Sequence, residues 1–545
     1  MPIVELSYSR LQKLLGKTSK KQIADLLPFL GLDIESEDDD LIRVEYSPNR
    51  PDFSTDFGIV LGLQGLLGIK TGAIRLNIKK SNNYVINVEP TVAKIRPFVT
   101  GIIAKNGRID DNLIKQLMTM QEDLHFGIGR NRKKSSIGIH DLDKISFPLR
   151  YTTTKRDHEF IPLNSNKKLT ISAILESTDV GKNYGSILGN SSKVPIIFDS
   201  KKQTVSFPPI INAAVTTVTT NTRNLFVEVT GINKLDIEDM LSVVATVLQT
   251  AGFTLVSAKI SGGKNSSPKF GLKKLMVDSD LINQTLGLNL NTTKIISSLK
   301  KSRLDATLKG KKIICSIPPH RFDIFGPMDL VEEVVLGFGI QNLEPILSPS
   351  QTLGQINPLS LQLKSVSLTM IGLGFTEALN SSLTSKRILY DMTNRESNQI
   401  ISVLDSKSQE HTILRDSILP GLLENLSKNI HISYPQKLFE TGTVFFQDDP
   451  IYEKTNFAGV IAHKGATFTE IKSILQSALN QGFGLPIETK TFSHPTFDEG
   501  RVASILFNDK LIGIIGEINS KTIENYKIRV PVVGFEISLT GLIFD

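Results

Sequence analysis

The amino-acid sequence predicts a multidomain α+β protein, on three observations. Its 545 residues exceed what one hydrophobic core usually supports, so several domains are expected. The hydrophobic pattern also changes along the chain: helical periods give way near residue 85 to short alternating strands, then to a small α/β unit from about 268, then to strand-rich sequence beyond about 350. Finally, 40% hydrophobic and 21% charged residues provide apolar material for several cores, which excludes a disordered chain. The expected domains are 1–84, 85–265, 266–345 and 346–545.

At the N-terminus, Leu11, Leu14 and Leu15 share one helix face, and Ile23, Leu26, Leu27 and Leu30 another, as a 3.6-residue period requires. SPNRPDF (Ser47 to Phe53) carries two prolines and must be a loop. Ser54 is expected to cap the apolar helix after it. Tyr84 to Val88 and Leu225 to Val229 alternate as strands do. In TTVTTNT (Thr216 to Thr222), β-branched density favours a strand, while Asn221 favours a turn. Asp329 to Phe338 closes the α/β unit as a helix, and Leu359 to Ile371 opens the last domain as an amphipathic run. No internal repeat is evident.

Cys315 is the single cysteine, so neither a disulfide framework nor a cysteine zinc site is possible within the chain; a reducing, cytosolic setting suits it. The opening MPIVELSYSRLQKLLG lacks the basic-then-apolar pattern of a signal peptide. No stretch approaches the roughly 20 apolar residues of a membrane span; Phe57 to Ile69 is short and broken by four glycines. A formal charge of +7 is mildly basic and attracts phosphate backbones. Arg130 to Lys134 (RNRKK) holds four basic residues in five, either a solvated loop or a nucleic-acid contact. With no Trp and no aromatic-rich basic motif, no single-strand stacking platform stands out.

Several chemistries are excluded. The sequence has no GxxxxGK[ST], HExxH or GxSxG, and its eight histidines are scattered. Gly127-Ile-Gly129-Arg-Asn-Arg132 superficially looks like a nucleotide loop, but a strand pattern (Ser136 to Ile139) follows it. No helix N-terminus is then available for phosphate, and the segment reads as a basic loop.

The most chemical segment runs from Pro318 to Val335. Asp329, Glu332 and Glu333 stand at i, i+3 and i+4, so their carboxylates lie on one helix face, with Pro327 at the helix start. Val331, Val334, Val335 and Phe338 point elsewhere and anchor the helix, while Asp323 lies in the preceding loop. Carboxylates clustered without His or Cys are hard oxygen ligands that suit magnesium. Asp329 to Glu332 is also a D-x-x-E capping box, and spacing alone leaves both readings open.

In order along the chain, SPNRPD (47 to 52), IGIHDLDKI (137 to 145), FPPIIN (207 to 212), TRNLFVEVTG (222 to 231), PPHRFDI with DLVEEV (318 to 334), LRDSILPGLLENL (414 to 426) and KLFETGTVF (437 to 445) resemble the archaeal and eukaryotic type of phenylalanyl-tRNA synthetase beta chain. The resemblance spans essentially the whole chain. It implies a central tRNA-editing domain, a small magnesium-binding domain and a C-terminal antiparallel sheet with helices like a class II synthetase core that has lost its active site. It further implies a cytoplasmic heterotetramer of two alpha and two beta chains acting on tRNA(Phe), with ATP-dependent adenylation in the alpha chain. The beta chain would hold tRNA, brace the alpha subunit and hydrolyse mischarged Tyr-tRNA. Asp323, Asp329, Glu332 and Glu333 are carried over as magnesium ligands near the alpha interface.

The sequence offers its own support for a missing adenylation site. A class II site needs arginines on the ATP phosphates, yet Lys437 is the only cation in KLFETGTVF. The arginines of the last 45 residues, Arg501 and Arg529, lie in no glycine-rich loop. HIGH and KMSKS signatures are absent too. Editing-pocket candidates are Pro209, Asn212, Thr230 and Asn233, within the wall elements Pro208 to Asn212 and the strand ending at Thr230 and Gly231; Pro208-Pro209 reads equally as a rigid turn. Where the family commonly has Asp two positions after the glycine of VTG, this chain has Asn233, with Asp236 three residues on, which puts editing in question. The chain stops at Asp545, without the further anticodon-binding domain of the longer bacterial beta chain. Two other readings are a stand-alone tRNA-binding or chaperone-like protein and an independent aminoacyl-tRNA deacylase.

Overall fold

Tyr8–Leu15 is helical because Ser7 caps it, accepting from Arg10 N at 3.3 Å, and because Tyr8, Leu11 and Leu15 bury one face. That face packs on a three-stranded antiparallel sheet of Ile3–Ser7, Leu41–Glu45 and Asp33–Glu37, in a core shared with Ile23 and Leu27. The second expected helix is split into Lys20–Leu26 and a 3-10 turn, Leu27–Leu30, because Pro28 lacks the amide that would continue it. The cap of Asp56–Leu66 is Thr55, not Ser54: Thr55 Oγ1 accepts from Gly58 N at 3.1 Å. Ser54 instead donates to Pro51 O at 2.6 Å, closing the SPNRPDF turn.

The computed structural model describes residues 2–262, 267–310, 312–347, 353–397, 399–540 and 542; the expected boundary at 265/266 and the terminal Asp545 lie outside them. The chain divides into two compact units, 1–347 and 348–545.

Two sheets form the centre of the first unit. β1 (Phe98–Lys105), α1 (Asp111–Phe126), β2 (Ser135–Asp141), β3 (Leu225–Gly231) and α2 (Lys234–Thr250) build the first. Its strand order is Ile78–Lys79, Thr254–Ser257, β1, β3, β2. The second sheet runs Ile211–Asn212, Thr204–Phe207, Lys193–Phe198, Leu149–Lys155, Val85–Val88, Lys259–Ser261. β3 is buried along its whole length, and its period-two alternation serves two cores. Leu225, Val227 and Val229 pack on α1 and α2, and Phe226 packs on the second sheet beside Ile86 and Tyr151. Each such apolar side chain contributes about 1.5–3 kcal/mol when fully buried, which makes β3 a rigid mount. Thr216 to Thr222 is not a strand. Thr216 Oγ1 and Thr217 Oγ1 donate to Ala213 O (3.1 Å) and Ala214 O (2.6 Å), and Thr222 Oγ1 to Asp141 Oδ2 (2.9 Å). The first two are local bonds of the kind that compete with ladder pairing.

A three-stranded antiparallel sheet follows, ordered Lys273–Asp278, Lys312–Ile317, Asp305–Lys309. It is covered by Ser279–Leu286, Thr292–Lys301 and α3 (Pro327–Phe338). Cys315 is buried in that core, and burial pushes its thiol up to about 12; it is structural, not reactive.

The second unit holds a seven-stranded sheet, antiparallel except where Thr376–Glu377 runs parallel to β4 (Gln436–Phe446). Pro358–Gly372 and Phe468–Phe483 contribute to one core on this sheet, and Leu419–Lys428 to another. Among the described residues, no helix is long and apolar enough to cross a membrane.

Candidate functional site

On β3, Glu228 faces the side opposite Val227 and Val229. Its cross-strand neighbours are glycines on both sides, Gly101 of β1 and Gly138 of β2. A Cβ at Gly138 would come within 2.6 Å of both Glu228 Oε1 and His140 Nε2, so the glycine makes room for a buried polar group. Ser206 Oγ lies 3.0 Å from Glu228 Oε1 and 3.1 Å from Asn212 Oδ1. His140 is held by Thr216 Oγ1 at 2.8 Å, with its Nε2 3.9 Å from Glu228 Oε1. Glu228 Oε2 is buried without a hydrogen-bond partner among the described residues, a costly state for a carboxylate.

Glu228, Ser206 and Asn212 of this cluster line a cavity of about 410 Å³ walled also by Leu117, Met118, Ile137, Phe207 and Pro209; its size and mixed lining suit a small-molecule group. Arg132 braces one wall: its guanidinium donates to Ile210 O (2.9 Å) and Glu122 Oε1 (2.8 Å) and lies over the Tyr184 ring.

Of the residues proposed from sequence, Pro209 and Asn212 line the cavity. Thr230 sits one layer behind, its hydroxyl taking a bond from Arg96 Nε (3.0 Å) and lying 3.2 Å from Ser136 Oγ. Asn233, the remaining pocket candidate, is not part of the cavity. It is exposed and caps α2 by accepting from Leu235 N at 2.8 Å. Asp236 likewise lies in the first turn of α2. Glu228, Ser206 and His140 were missed. The signal for Glu228 was a carboxylate within LFVEVTG, a run with apolar residues on both strand faces, as in a strand buried on both sides.

The four α3-region carboxylates occupy a second charged centre. Arg321, buried, forks onto Asp323 (Nε to Oδ1 2.9 Å, Nη2 to Oδ2 2.8 Å) and also binds Glu333. Against the upward push of burial, Arg321 and then Arg50 hold the Asp323 carboxyl below its usual range. Asp329 is not the cap of a D-x-x-E box. It stands at the third helical position, and its Oδ2 accepts from Phe325 N (2.7 Å) and Gly326 N (2.8 Å). Glu332 is exposed, its carboxyl raised by desolvation and by Glu333 and Asp329. Among the described residues no three His, Cys, Asp or Glu side chains are placed to hold a metal ion. All four are carboxylates, the donor type a hard divalent cation takes, but Arg321 already occupies Asp323 and Glu333 and the backbone amides of Phe325 and Gly326 occupy Asp329.

The SPNRPD and PPHRFD loops meet at this centre. Arg50 forks onto Asp52 (3.0 and 2.8 Å), and Arg50, Asp52, His320, Arg321 and Glu333 line one small pocket. Burial pushes His320 down from 6.5 to about 4, so the folded chain keeps it neutral while the unfolded chain protonates it. Its stabilisation is complete above the unfolded value and is lost as pH falls from about 6.5 toward 4. Asp52 and Asp323, with lowered carboxyls, weaken in the same direction further down. Thermal unfolding monitored from pH 7 to 4.5 is therefore expected to show a falling midpoint, and His320→Gln is expected to flatten its upper part.

In the second unit, Arg415 donates to Glu440 Oε1 (2.6 Å) and Thr443 O (3.1 Å) across β4. A Cβ at Gly442 would lie 2.2 Å from Arg415 Nη2, so the glycine of KLFETGTVF admits this ion pair. Arg395 pairs with Asp416 and Arg501 with Glu517; Arg387 and Arg529 are exposed. Lys437 lies over the Phe375 ring. Arg415 beside the strand is thus paired within the fold, and Lys437 is the one cation that β4 itself carries.

The chain matches three families in series: the B3/4 domain at residues 123–245, the tRNA synthetase B5 domain at 275–340, and the phenylalanyl tRNA synthetase beta chain CLM domain at 345–539. That order defines a tRNA synthetase chain. The phenylalanine--tRNA ligase beta subunit of Archaeoglobus fulgidus is 37% identical over 550 residues, covering 100% of this chain and 99% of that one; that of Methanocaldococcus jannaschii is 36% identical over 554 residues, covering 99% and 100%. The crystal structure of an N-terminal fragment of the phenylalanyl-tRNA synthetase beta-subunit from Pyrococcus horikoshii aligns with a TM-score of 0.58 at 29% identity, over 62% of this chain and 99% of the fragment. The chain belongs to the phenylalanine--tRNA ligase beta subunit family.

Proposed function

We propose that this chain is the subunit of phenylalanine--tRNA ligase (ATP + L-phenylalanine + tRNA(Phe) giving AMP, diphosphate and Phe-tRNA(Phe)) that leaves adenylation to a catalytic alpha partner, two alpha and two beta chains making the cytoplasmic enzyme. Its central domain, roughly 85–265, edits Tyr-tRNA(Phe); residues 266–345 form the magnesium-binding domain, and 346–545 a class II-like domain without its own active site. The observation that carries the editing role is Glu228 Oε2, a buried acceptor lacking a donor among the described residues, on a residue that lines a largely apolar cavity.

A tyrosyl group entering ring-first donates its hydroxyl to that carboxylate, whereas phenylalanine leaves it desolvated and unpaired. A site built to bond a hydroxyl discriminates far more sharply than one that merely tolerates it. Pro209, with Asn212 and the wall held by Arg132, orients the ring, and Thr230 acts from behind through Ser136. Magnesium, when bound, supplies charge neutralisation, not chemistry. Asp323, Asp329, Glu332 and Glu333 would hold it, Asp329 and Glu332 with oxygens not bonded to Arg321. The partner surface has support in Leu361, Leu368 and Ile371, apolar side chains that are 49%, 61% and 52% exposed on Pro358–Gly372.

The editing role is tested by incubating the assembled enzyme with Tyr-tRNA(Phe) and Phe-tRNA(Phe). Tyrosine is expected to be released and phenylalanine kept; an enzyme inert toward both esters would refute editing.

A further inference from the structure

Beside the editing cavity lies a second recess of about 410 Å³, whose lining includes Arg96, Lys133, Ser186, Ile187, Pro209 and Ile232. Pro209 walls both spaces. Arg96 is 2% exposed, and among the described residues its guanidinium is bonded to neutral oxygens: Thr230 Oγ1 (3.0 Å), Thr230 O (2.9 Å), Ser136 Oγ (3.1 Å) and Arg132 O (3.3 Å). Burial lowers it to about 10, with Tyr151 and Glu228 acting on it only through space. A buried charge without a bonded counter-ion is expensive, and an anion in the recess would relieve that cost.

The backbone prepares the rim. Arg130, Asn131 and Arg132 all take positive φ (48°, 53° and 65°), a left-handed run costly for non-glycine residues and frequent at functional sites. It splits RNRKK: Arg132 turns inward to brace Pro209 and Ile210, while Lys133 remains exposed at the recess. Ile187 and the half-exposed Ile232 offer apolar contact for a sugar or base.

We propose that this recess binds a phosphodiester of the single-stranded 3′ end of tRNA, gripped between Arg96 and Lys133, so that the terminal aminoacyl-adenosine is threaded past Pro209 into the editing cavity. The proposal rests on the editing reading and adds the substrate-positioning site that would serve it. Arg96 and Lys133 are positioning residues: they neutralise the phosphate and fix the reach of the ester without touching it.

The test compares tyrosyl-tRNA(Phe) with tyrosyl-adenosine, which carries the ester but no phosphodiester, on the assembled enzyme. Lys133→Ala, an exposed change that spares the core, is expected to raise KM for tyrosyl-tRNA(Phe) on the order of tenfold, as loss of a charge-assisted contact does, with little change in kcat. Lys133→Arg restores KM, and the KM of tyrosyl-adenosine does not move. An equal rise with both substrates, or no rise with either, overturns the proposal. Competition by inorganic phosphate that Lys133→Ala abolishes while the KM for tyrosyl-tRNA(Phe) stays put overturns it too, in favour of a free-phosphate site. If the wild-type enzyme hydrolyses neither ester, editing alone fails, and the recess is judged by tRNA(Phe) binding. A fall of about one in the slope of log K against log salt for Lys133→Ala supports it; an unchanged slope overturns it.

Discussion

Glu228→Ala is expected to slow hydrolysis of Tyr-tRNA(Phe) by the assembled enzyme about 100-fold, the worth of a buried charge-assisted hydrogen bond of roughly 3 kcal/mol. The effect follows from placement. Glu228 is pinned between Gly101 and Gly138, one oxygen is oriented by Ser206, and the other is left for the ligand. Glu228→Gln keeps the shape and one acceptor, so it should retain more activity than alanine. The readout is release of labelled tyrosine over time, with Tyr-tRNA(Phe) accumulation during aminoacylation as the second measure. An alanine variant that edits normally would place tyrosine recognition elsewhere in the cavity.

Arg321→Met is expected to be the most destabilising single change in the first unit. It strips the counter-ion from Asp323 and Glu333, both largely buried. Breaking such a centre from one side costs about 3–5 kcal/mol, because the remaining charges stay desolvated. Thermal unfolding should begin roughly 5–10 °C lower. Adding Asp323→Asn and Glu333→Gln to Arg321→Met should recover much of the loss, since neutral groups need no counter-ion. If the single variant unfolds like wild type, the carboxylates are not held by Arg321 as the geometry indicates.

Much of the fold was legible because it depends on patterns that survive tertiary packing. The Leu11 and Ile23 faces, the alternation of Leu225 to Val229 and the Asp329 to Phe338 helix are all present. Pattern alone decided less where polar groups act locally. Thr216 and Thr217 bond nearby carbonyls in a segment whose pattern left strand and turn open, Thr55 displaces Ser54 as a cap, and Asn233 starts a helix instead of entering a pocket. The site was half visible. Pro209 and Asn212 stood in a distinctive segment, but Glu228 becomes a functional candidate only once Gly138, Ser206 and His140, 90, 22 and 88 positions away in sequence, are brought around it. The carboxylates of 323 to 333 were recognisable as a group, yet their division by Arg321 depends on a buried side chain whose direction no spacing rule specifies.

The central claim is that this chain supports and edits while another chain adenylates. Its most direct measurement is phenylalanine-dependent exchange of labelled pyrophosphate into ATP, run on the purified chain and on the same chain co-expressed with an alpha subunit. Exchange only in the co-expressed complex is the predicted result, because Arg415 is paired with Glu440 and Lys437 is the one cation on β4. Robust exchange by the purified chain alone would contradict it.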